Sequence, residues 1–569
     1  MAPRKRSRAI EEMTATDWNL ADVLEVCAEV RAAANPALVS GSVRLSWAEL
    51  DRRAAGVAAA LLDAGLGRQA KVTQYLYNCN EYLESSFAAM KAGMVPVNTN
   101  YRYEDEELCH LWDDADVEAV VFHGSFADRL DRLRRHPRLK GLRLFLHVDD
   151  GSGPCPGFAR SYEEAASSLA AGADTAVEGP WGRSGDDLYL LYTGGTTGVP
   201  KGVMWRQDDL FSILNDRAVY RMPEDGGLEG LRQGVENLGE AAPVLLPACP
   251  LMHGTGAFTA WSCLMVGGCV VTVPGRSFDP VAVLEAVGRE RVGLLALVGD
   301  SFARPLLGAL EAEPGRFDLS SLLGIISSGV MWSEETKRGL LRHAPQVMLV
   351  DAFSSSEALG MGSSVSTAGG EVPTARFLVG DKARVIDDDG NDVEPGSGLP
   401  GRLAVAGRLP LGYYKDPTKT AATFKIIGGR RHSVPGDLAT VDADGTLCLL
   451  GRGAACINSG GEKIFPEEVD EVLKTHPAVV DAACVGVPDE RFGEAICALV
   501  ELRSPGAVSA GDLVAHVRTR LAAFKAPRNV VEVDSLERGP AGKLDYERLR
   551  SRAEAAVRGG SPPNAAPDR

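Results

Sequence analysis

Helical stretches alternate with short β-branched runs along most of this 569-residue chain. Residues 45–65 have the pattern of an amphipathic helix, residues 117–123 resemble a strand, and residues 283–300 resemble a helix followed by a strand. This order is typical of layered α/β folds with largely parallel sheets. We therefore predict an α/β protein, long enough for several domains at roughly 150 residues each.

The pattern changes after about residue 375. Residues 382–407 and 436–453 alternate like strands and contain Asp-Gly and Gly-rich turns, which favour antiparallel β structure. From residue 464 the order becomes α-β-β-α-β. We predict a large N-terminal domain of layered α/β sheets plus a small β subdomain (1–450), a small α+β C-terminal domain (451–555) and a disordered tail (556–569).

Composition excludes several classes of protein. The net charge of -17 disfavours nucleic acid as the main partner. Eleven cysteines without a CxxC pair and nine histidines without ligand spacing indicate a reducing compartment and no transition metal. Proline and glycine divide the uncharged stretch 241–275 into a strand, a loop, a helix and a strand, each too short to span a membrane. We expect a cytoplasmic protein without an integral membrane segment.

The strongest local motif lies between two apolar strands at residues 188–203. Glycines expose backbone N–H groups to an anion, hydroxyls add donors and a lysine adds positive charge, so the loop suits phosphate binding. Its residues are Thr193, Gly194, Gly195, Thr196, Thr197, Gly198 and Lys201. Pro200 and Gly202 around the lysine exclude a Walker A loop. Taken alone, the segment could also be a flexible hairpin without a ligand.

The segment TGGTTGVPKGV, with the strand on each side of it, resembles the adenylate-forming superfamily of acyl-CoA synthetases, amino-acid adenylation domains and luciferases. The resemblance extends from about residue 47 to residue 546, with later motifs in the same order. It implies a large N-terminal domain, a small mobile C-terminal domain, and the use of ATP and Mg²⁺.

The resemblance assigns residues 351–357 to the nucleotide site. Ser356 and Glu357 would meet the phosphates and Mg²⁺, for which a hydroxyl and a carboxylate are suitable oxygen ligands. Asp351 and Phe353 belong to the same segment, where Phe353 replaces the family's tyrosine and would still stack on adenine. On local grounds alone, a serine-rich surface turn is equally compatible.

Three later residues complete the implied nucleotide site. Asp437 would accept hydrogen bonds from both ribose hydroxyls, with help from Arg452 at the domain junction. Lys543 would contact the substrate carboxylate and the α-phosphate, and with Glu357 it forms the predicted catalytic pair. Read singly, Asp437 is also compatible with a turn residue and Lys543 with a solvated surface charge. Ala454 replaces the hinge Asp or Lys of the family, which leaves the hinge unassigned.

The acyl and CoA sites are likewise implied by the resemblance. The acyl pocket would be formed by His253, Phe258, Ser328, Gly329 and Val330, with Ala257 and Trp261 beside Phe258. The absence of acidic residues from 241–275 argues against an amino-acid substrate, because a buried ammonium needs a partner. The CoA tunnel would include Ser459, Gly460 and Gly461.

We interpret the chain as an AMP-forming acyl-CoA synthetase that activates a long-chain fatty or steroid side-chain acid with ATP and Mg²⁺ and transfers the acyl group to CoA. One alternative is an acyl-AMP ligase that delivers to a carrier protein. A second, motivated by Ala454, is a non-catalytic nucleotide-binding protein. The expected partners are small molecules, and a homodimer is left open.

Overall fold

The computed structural model describes residues 17–31, 35–193, 200–330, 332–372, 374–452, 457–459, 462–489, 493–521, 523–539 and 544–558. At 452, 458, 462–463 and 493 the description covers the backbone alone. The mixed α/β architecture predicted from the sequence is confirmed. The described residues form three sheets of fifteen, eight and five strands.

The described helices, in chain order, are α1 (Leu20–Val30), α2 (Trp47–Asp63), α3 (Asn80–Lys91), α4 (Asp105–Asp114), α5 (Ala127–Leu133), α6 (Tyr162–Ala166), α7 (Gln207–Arg217), α8 (Gly227–Leu238), α9 (Gly254–Leu264), α10 (Pro280–Arg289), α11 (Asp300–Ala312), α12 (Glu334–His343), α13 (Pro417–Thr423), α14 (Pro466–Lys474), α15 (Ala510–Arg518) and α16 (Tyr546–Arg558).

The described strands are β1 (Pro36–Ser40), β2 (Val43–Ser46), β3 (Lys71–Tyr75), β4 (Val95–Asn98), β5 (Val117–His123), β6 (Leu144–Val148), β7 (Arg160–Ser161), β8 (Leu188–Thr193), β9 (Lys201–Arg206), β10 (Val244–Pro247), β11 (Cys269–Thr272), β12 (Leu294–Leu297), β13 (Gly324–Ser327), β14 (Met348–Ser355), β15 (Ala358–Ser366), β16 (Arg376–Val379), β17 (Ala383–Ile386), β18 (Gly401–Val405), β19 (Gly412–Tyr413), β20 (Phe424–Ile427), β21 (Arg430–Ser433), β22 (Asp437–Val441), β23 (Thr446–Arg452), β24 (Ile457–Ser459), β25 (Glu462–Ile464), β26 (Val479–Asp489), β27 (Gly493–Leu502) and β28 (Asn529–Glu532).

The fifteen-stranded sheet changes from parallel to antiparallel along its width. Its parallel part runs β1-β11-β10-β12-β13-β14, and β15, β16, β23, β22, β18, β21 and β20 continue it with antiparallel pairing. Antiparallel pairing already begins between β14 and β15, so it starts before the change of pattern that the sequence shows after about residue 375. The parallel strands bury their outward face against α10, α11 and α12.

The eight-stranded sheet has the order β19-β9-β8-β4-β3-β5-β6-β7. Its middle is parallel, whereas β8 and β9 form the antiparallel hairpin on which the glycine-rich motif lies. Strand β19 comes from a segment more than 200 residues later and pairs Tyr413 with Val203. This sheet therefore joins the hairpin to residues near the end of the large predicted domain.

The stretch 241–275 folds as β10, α9 and β11, in agreement with its division by proline and glycine. Strands β10 and β11 lie side by side in the parallel sheet, and α9 packs against both. In the described part of the chain, no helix combines the length and apolar character needed to cross a bilayer.

The third sheet is built from residues after 456 and packs between α14 and α15 on one face and α16 on the other. Helix α16 ends at Arg558, so the first three residues of the predicted disordered tail, 556–558, are helical instead. The helix is hard to predict from its charged sequence, because Leu549 and Ala553 are the only residues in its described part that are buried. The rest of the predicted tail, 559–569, lies outside the described residues.

Candidate active site

One cleft of about 2700 Å³ brings together most of the described residues that the sequence predicts to bind ligands. It lies where the three sheets meet, beside the carboxyl ends of the parallel strands, the usual place for ligands in open α/β sheets. The predicted residues in its lining are Thr193, His253, Phe258, Ser328, Gly329, Val330, Asp351, Phe353, Ser356, Glu357 and Asp437.

Lys201 is held at the base of the glycine-rich loop. It is the register partner of Thr193 at the loop end of the β8–β9 hairpin, and its Nζ lies 2.9 Å from Oδ2 of Asp416. Asp416 caps α13, and the Lys419 N–H together with the Lys201 ammonium keeps the pKa of Asp416 below its usual range. The other predicted loop residues, Gly194, Gly195, Thr196, Thr197 and Gly198, lie outside the described residues.

A tyrosine that the sequence did not indicate orients Glu357. Glu357 lies in the turn between β14 and β15, and Tyr413 Oη donates to its Oε1 at 2.7 Å. Trp205 Nε1 donates to the carbonyl oxygen of Ser356 at 3.1 Å, which fixes the adjacent backbone. The turn therefore presents a carboxylate of defined orientation to the cleft.

The same turn suits a magnesium ion. The buried Ser355 Oγ has no hydrogen-bond partner among the described residues, so an oxygen ligand is available beside Glu357. No preformed cluster of three or more His, Cys, Asp or Glu side chains occurs in the described ranges. Mg²⁺ does not need one, because it usually takes one or two carboxylates and completes its shell with substrate phosphates and water.

Asp351 lines the cleft, but its carboxylate forms an ion pair with Lys337 of α12. Burial raises the pKa of Asp351 against the lowering effect of the Lys337 ammonium. Lys337 is almost completely buried and also lies 5.8 Å from the ring centroid of Trp332. The pair attaches α12 to β14 at the point where β14 enters the site.

Phe353 packs its ring against Phe377 of β16, with centroids 5.2 Å apart and planes at 29°. Both rings line the cleft, which fits the predicted role of Phe353 as a stacking surface for adenine. Ser354, which replaces the family's glycine, accepts a hydrogen bond from the Gly360 N–H at 3.1 Å. The hydroxyl therefore ties the turn together.

Asp437 and Arg452 are register partners on the neighbouring strands β22 and β23. Asp437 is 6% exposed and lines the cleft. The side chain of Arg452 lies outside the described part of the structure. The pairing of the two backbones agrees with a shared position at the predicted ribose site, although 15 residues separate them in sequence.

The apolar end of the cleft lies at the start of α9. His253 precedes the helix, and Phe258 contacts Tyr189 and Trp205 with ring centroids 6.1 and 6.4 Å apart. Gly329 has a φ of +93°, a value that favours glycine, in the turn after β13. The expectation that Ala257 and Trp261 lie beside Phe258 in the acyl pocket is wrong, because both are 1% exposed and pack into the core. Only the Phe258 side of the helix faces the cleft.

The predictions for Lys543, Gly460, Gly461 and Ala454 lie outside the described residues. Ser459 is described in β24, where it pairs with Glu462 and Gly493. The CoA tunnel and the contact of the catalytic lysine therefore stay predictions.

Sequence reasoning missed four residues of the site: Tyr413, Asp416, Trp205 and Lys337. Each acts on a predicted residue: Tyr413 on Glu357, Asp416 on Lys201, Trp205 on Ser356 and Lys337 on Asp351. The run Gly412-Tyr-Tyr-Lys-Asp416 is the signal that could have found Tyr413 and Asp416, because aromatic and charged residues cluster there beside a glycine.

Two family profiles match the chain. One, described as AMP-binding enzyme, covers residues 24–414, and the other, described as AMP-binding enzyme C-terminal domain, covers residues 468–543.

Similar curated proteins cover nearly the whole chain. The medium/long-chain-fatty-acid–CoA/3-oxocholest-4-en-26-oate–CoA ligase of Mycolicibacterium smegmatis is 41% identical over 525 residues, which cover 90% of this chain and 92% of that protein. The 3-oxocholest-4-en-26-oate–CoA ligase of Rhodococcus rhodochrous is 38% identical over 538 residues, which cover 93% of this chain and 94% of that protein.

Solved structures with the same fold include ATP-bound MatB from Rhodopseudomonas palustris, with a TM-score of 0.77 and 25% identity over 95% of this chain and 100% of that one. The anthranilate CoA ligase AuaEII in complex with anthranoyl-AMP gives a TM-score of 0.80 at 21% identity, over 97% of this chain and 100% of that one.

Proposed function

The chain belongs to the AMP-binding enzyme family, and on that premise we propose that it is an AMP-forming acyl-CoA ligase for an apolar carboxylic acid. The observation that carries the proposal is a single cleft that joins a polar end, with Glu357 and Asp437, to an apolar end, with Phe258 and Val330. Relatives named as ligases of medium- and long-chain fatty acids and of 3-oxocholest-4-en-26-oate support an acid of this kind.

The first half-reaction joins the acid to AMP. A carboxylate oxygen of the acid attacks the α-phosphorus of ATP, the new C–O–P link forms, and pyrophosphate leaves with the electrons of the broken P–O bond. Two anions that approach to 4 Å repel each other by about 4 kcal/mol at an effective dielectric of 20. Lys201 and Lys543 are the cations that we assign to offset this repulsion.

The nucleotide is oriented by groups on the large domain. Asp437 accepts from the ribose hydroxyls beside Arg452, and Phe353 offers a ring face to adenine. Glu357 and the serine hydroxyls of its turn would hold Mg²⁺, which would supply positive charge to the phosphates. Tyr413 keeps the Glu357 carboxylate in the orientation that this requires.

The second half-reaction transfers the acyl group to CoA. The CoA thiolate attacks the acyl carbonyl carbon, the C–S bond forms, and AMP leaves with the electrons of the C–O bond. We assign residues 459–461 to the pantetheine path and propose that residues 451–555 rotate as a small domain against residues 1–450 between the half-reactions. A cytoplasmic location and a homodimer stay predictions.

The decisive experiment measures pyrophosphate release with short-chain, long-chain, aromatic, steroid side-chain and amino acids, each with and without CoA. AMP and thioester are followed by mass spectrometry. We expect multiple turnovers that require CoA and give a thioester of an apolar acid. An adenylate that forms once and that CoA cannot discharge would point to a carrier protein as acceptor. No adenylate with any acid would overturn the proposal.

A further inference from the structure

The parallel sheet forms one wall of the apolar end of the cleft, through all of one row of residues and through the β13 and β14 members of a second row, Ile326 and Val350. Register pairing aligns the first row across β10, β12, β13 and β14 as Leu245, Leu294, Gly324 and Met348. It aligns the second row as Pro247, Ala296, Ile326 and Val350. Residues two apart on a strand share a face, so both rows face the same side. The residues between them, including Leu295, Ile325 and Leu349, pack into the core on the other side.

Helix α9 forms the opposite wall. The residues of the helix that line the cleft recur at intervals of three or four, as one helical face does: Gly254, Thr255, Phe258, Thr259, Ser262 and Cys263. A Cβ at Gly329 would lie 3.8 Å from Thr255 Oγ1, so the helix begins beside the carboxyl ends of the strands. Cys263 Sγ lies 3.5 Å from the carbonyl oxygen of Pro243, just before β10, so the helix ends beside the first row.

These two walls enclose a path that we call the acyl channel, bounded by the two rows and the named face of α9. It leads from Gly329 toward the first row. Four strand residues separate Gly324 from Ser328, which corresponds to about 13 Å. Eight helical residues separate Thr255 from Cys263, which corresponds to about 12 Å. The two lengths agree, and the contacts near Gly329 and Pro243 place the two walls side by side at both ends.

The first row has a narrow gap at Gly324, which carries no side chain between Leu294 and Met348 and which the tip of Leu294 partly covers. A Cβ at Gly324 would lie 3.0 Å from Leu294 Cδ2, the flexible tip of that leucine, and 3.8 Å from the Met348 carbonyl oxygen. Beside the gap the cleft lining includes Met348, which is 52% exposed, and one residue before Gly324 it includes Leu323, which is 57% exposed. Apolar residues exposed together at the edge of a cleft are typical of a ligand-binding surface.

We propose that Gly324 determines the acid specificity of this enzyme: the gap lets an acyl group pass the first row, so the enzyme takes acids whose apolar part is long or built of fused rings. This inference rests on the proposed function. A larger residue at position 324 would end the channel at the second row, beside Ile326 and Val350. Short acids would still fit, because their chains stop before the gap.

The test compares hexanoic, hexadecanoic and steroid side-chain acids in Gly324→Leu and the wild type, with kcat/KM measured by pyrophosphate release. We expect kcat/KM to fall about 10- to 200-fold for the two large acids, the scale of misfit in an apolar pocket, and less than about threefold for hexanoic acid. Gly308→Leu is the matched control, since Gly308 is exposed on α11 with nothing within 4 Å of an added Cβ. It should leave all three values unchanged.

A second variant approaches the same space from the other wall. Ser262→Phe fills the channel from α9 at the level of the first row, and it should reproduce the selective loss if Gly324→Leu does not fold. Equal losses for all acids, or an unchanged preference in a folded variant, would overturn the role of Gly324 while leaving the proposed function intact. A wild type without adenylation of any acid would instead overturn the proposed function.

Discussion

At the scale of single residues, the polar end of the cleft depends on contacts between side chains far apart in sequence. Tyr413 and Glu357 are separated by 56 residues, and Lys201 and Asp416 by 215. The sequence could indicate Glu357 and Lys201 because each lies in a motif whose chemistry is local. It could not indicate their partners, since the pairing depends on β19 joining β9 at the edge of the second sheet.

Tyr413→Phe tests the orientation of Glu357. Loss of a hydrogen bond to a charged group costs about 1.5–3 kcal/mol, so we expect kcat/KM for ATP to fall about 10- to 100-fold and the Mg²⁺ concentration for half-maximal rate to rise. A titration of the adenylation rate with Mg²⁺ measures both effects. Tyr414→Phe is the control, because the Tyr414 hydroxyl donates to Asp116, away from Glu357. Equal Mg²⁺ curves for the two variants would contradict the assigned role of Tyr413.

Lys543→Ala tests the predicted catalytic lysine. Removal of one preorganised electrostatic contact should slow adenylation by about 10²- to 10³-fold, because the two reacting anions lose a shared cation. Thioester formation from supplied acyl-AMP should change far less, and single-turnover measurements of each half-reaction separate the two. The assignment fails if both half-reactions slow to the same extent.

At the scale of secondary-structure elements, periodicity predicted most of the architecture. The amphipathic run at 45–65 became α2, and the β-branched run at 117–123 became β5. What periodicity could not show is the buried charge that joins helices. Lys91 of α3 is fully buried and its Nζ lies 2.6 Å from both Glu25 Oε1 and Asp51 Oδ1, so one ammonium links α1, α2 and α3.

Lys91→Met tests this link and its dependence on pH. Lys91 and Arg183 offset the desolvation of Glu25 and lower its pKa from 4.5 to about 2. The contribution of the ionised Glu25 is therefore complete above pH 4.5 and is lost as the pH falls toward 2. Breaking a buried pair costs about 3–5 kcal/mol. At pH 7 the free energy of unfolding of the variant should therefore be lower than that of the wild type by this amount, and the variant should unfold at a lower urea concentration.

The difference from wild type should narrow as the pH falls from 4.5 toward 2, because a protonated Glu25 no longer needs Lys91. Urea unfolding across this range measures the effect. The exposed Lys140→Met is the control and should unfold like the wild type at every pH. A difference that is constant with pH would mean that Glu25 is not the group involved.

At the scale of the whole molecule, the last strand of the large sheet meets the first helix of the small domain. Gly451 of β23 has a φ of +101°, and an added Cβ would collide with the carboxylate of Glu467 in α14. The sequence predicts a domain boundary here, because the order of helices and strands that it predicts changes near residue 451. It could not show the contact, because only the folded arrangement brings α14 back against β23.

Gly451→Ala tests whether this contact belongs to one arrangement of the domains. The added methyl group should disfavour the described arrangement, so the two half-reactions should change unequally, by about 10-fold or more in the ratio of their single-turnover rates. Gly445→Ala is the matched control, since Gly445 also has a positive φ, +86°, but nothing lies within 4 Å of an added Cβ. If Gly451→Ala and Gly445→Ala give the same ratio of single-turnover rates, backbone strain alone explains the effect and the contact with Glu467 plays no part in it.

The connectivity of the fifteen-stranded sheet also bears on how the protein is made. Strand β1 pairs in parallel with β11, where Leu38 lies opposite Val270. The other edge of β1 pairs with β2, which follows it directly in sequence. Until β11 has been synthesised, β2 alone can cover an edge of β1. At about 5–20 residues per second, ribosomal synthesis of the intervening chain takes roughly 10–50 s. During that interval a nascent chain exposes an unpaired apolar strand edge, the kind of surface that promotes aggregation. Slow translation before residue 269 would lengthen this interval, so the yield of folded enzyme should depend on chaperones that bind early in synthesis.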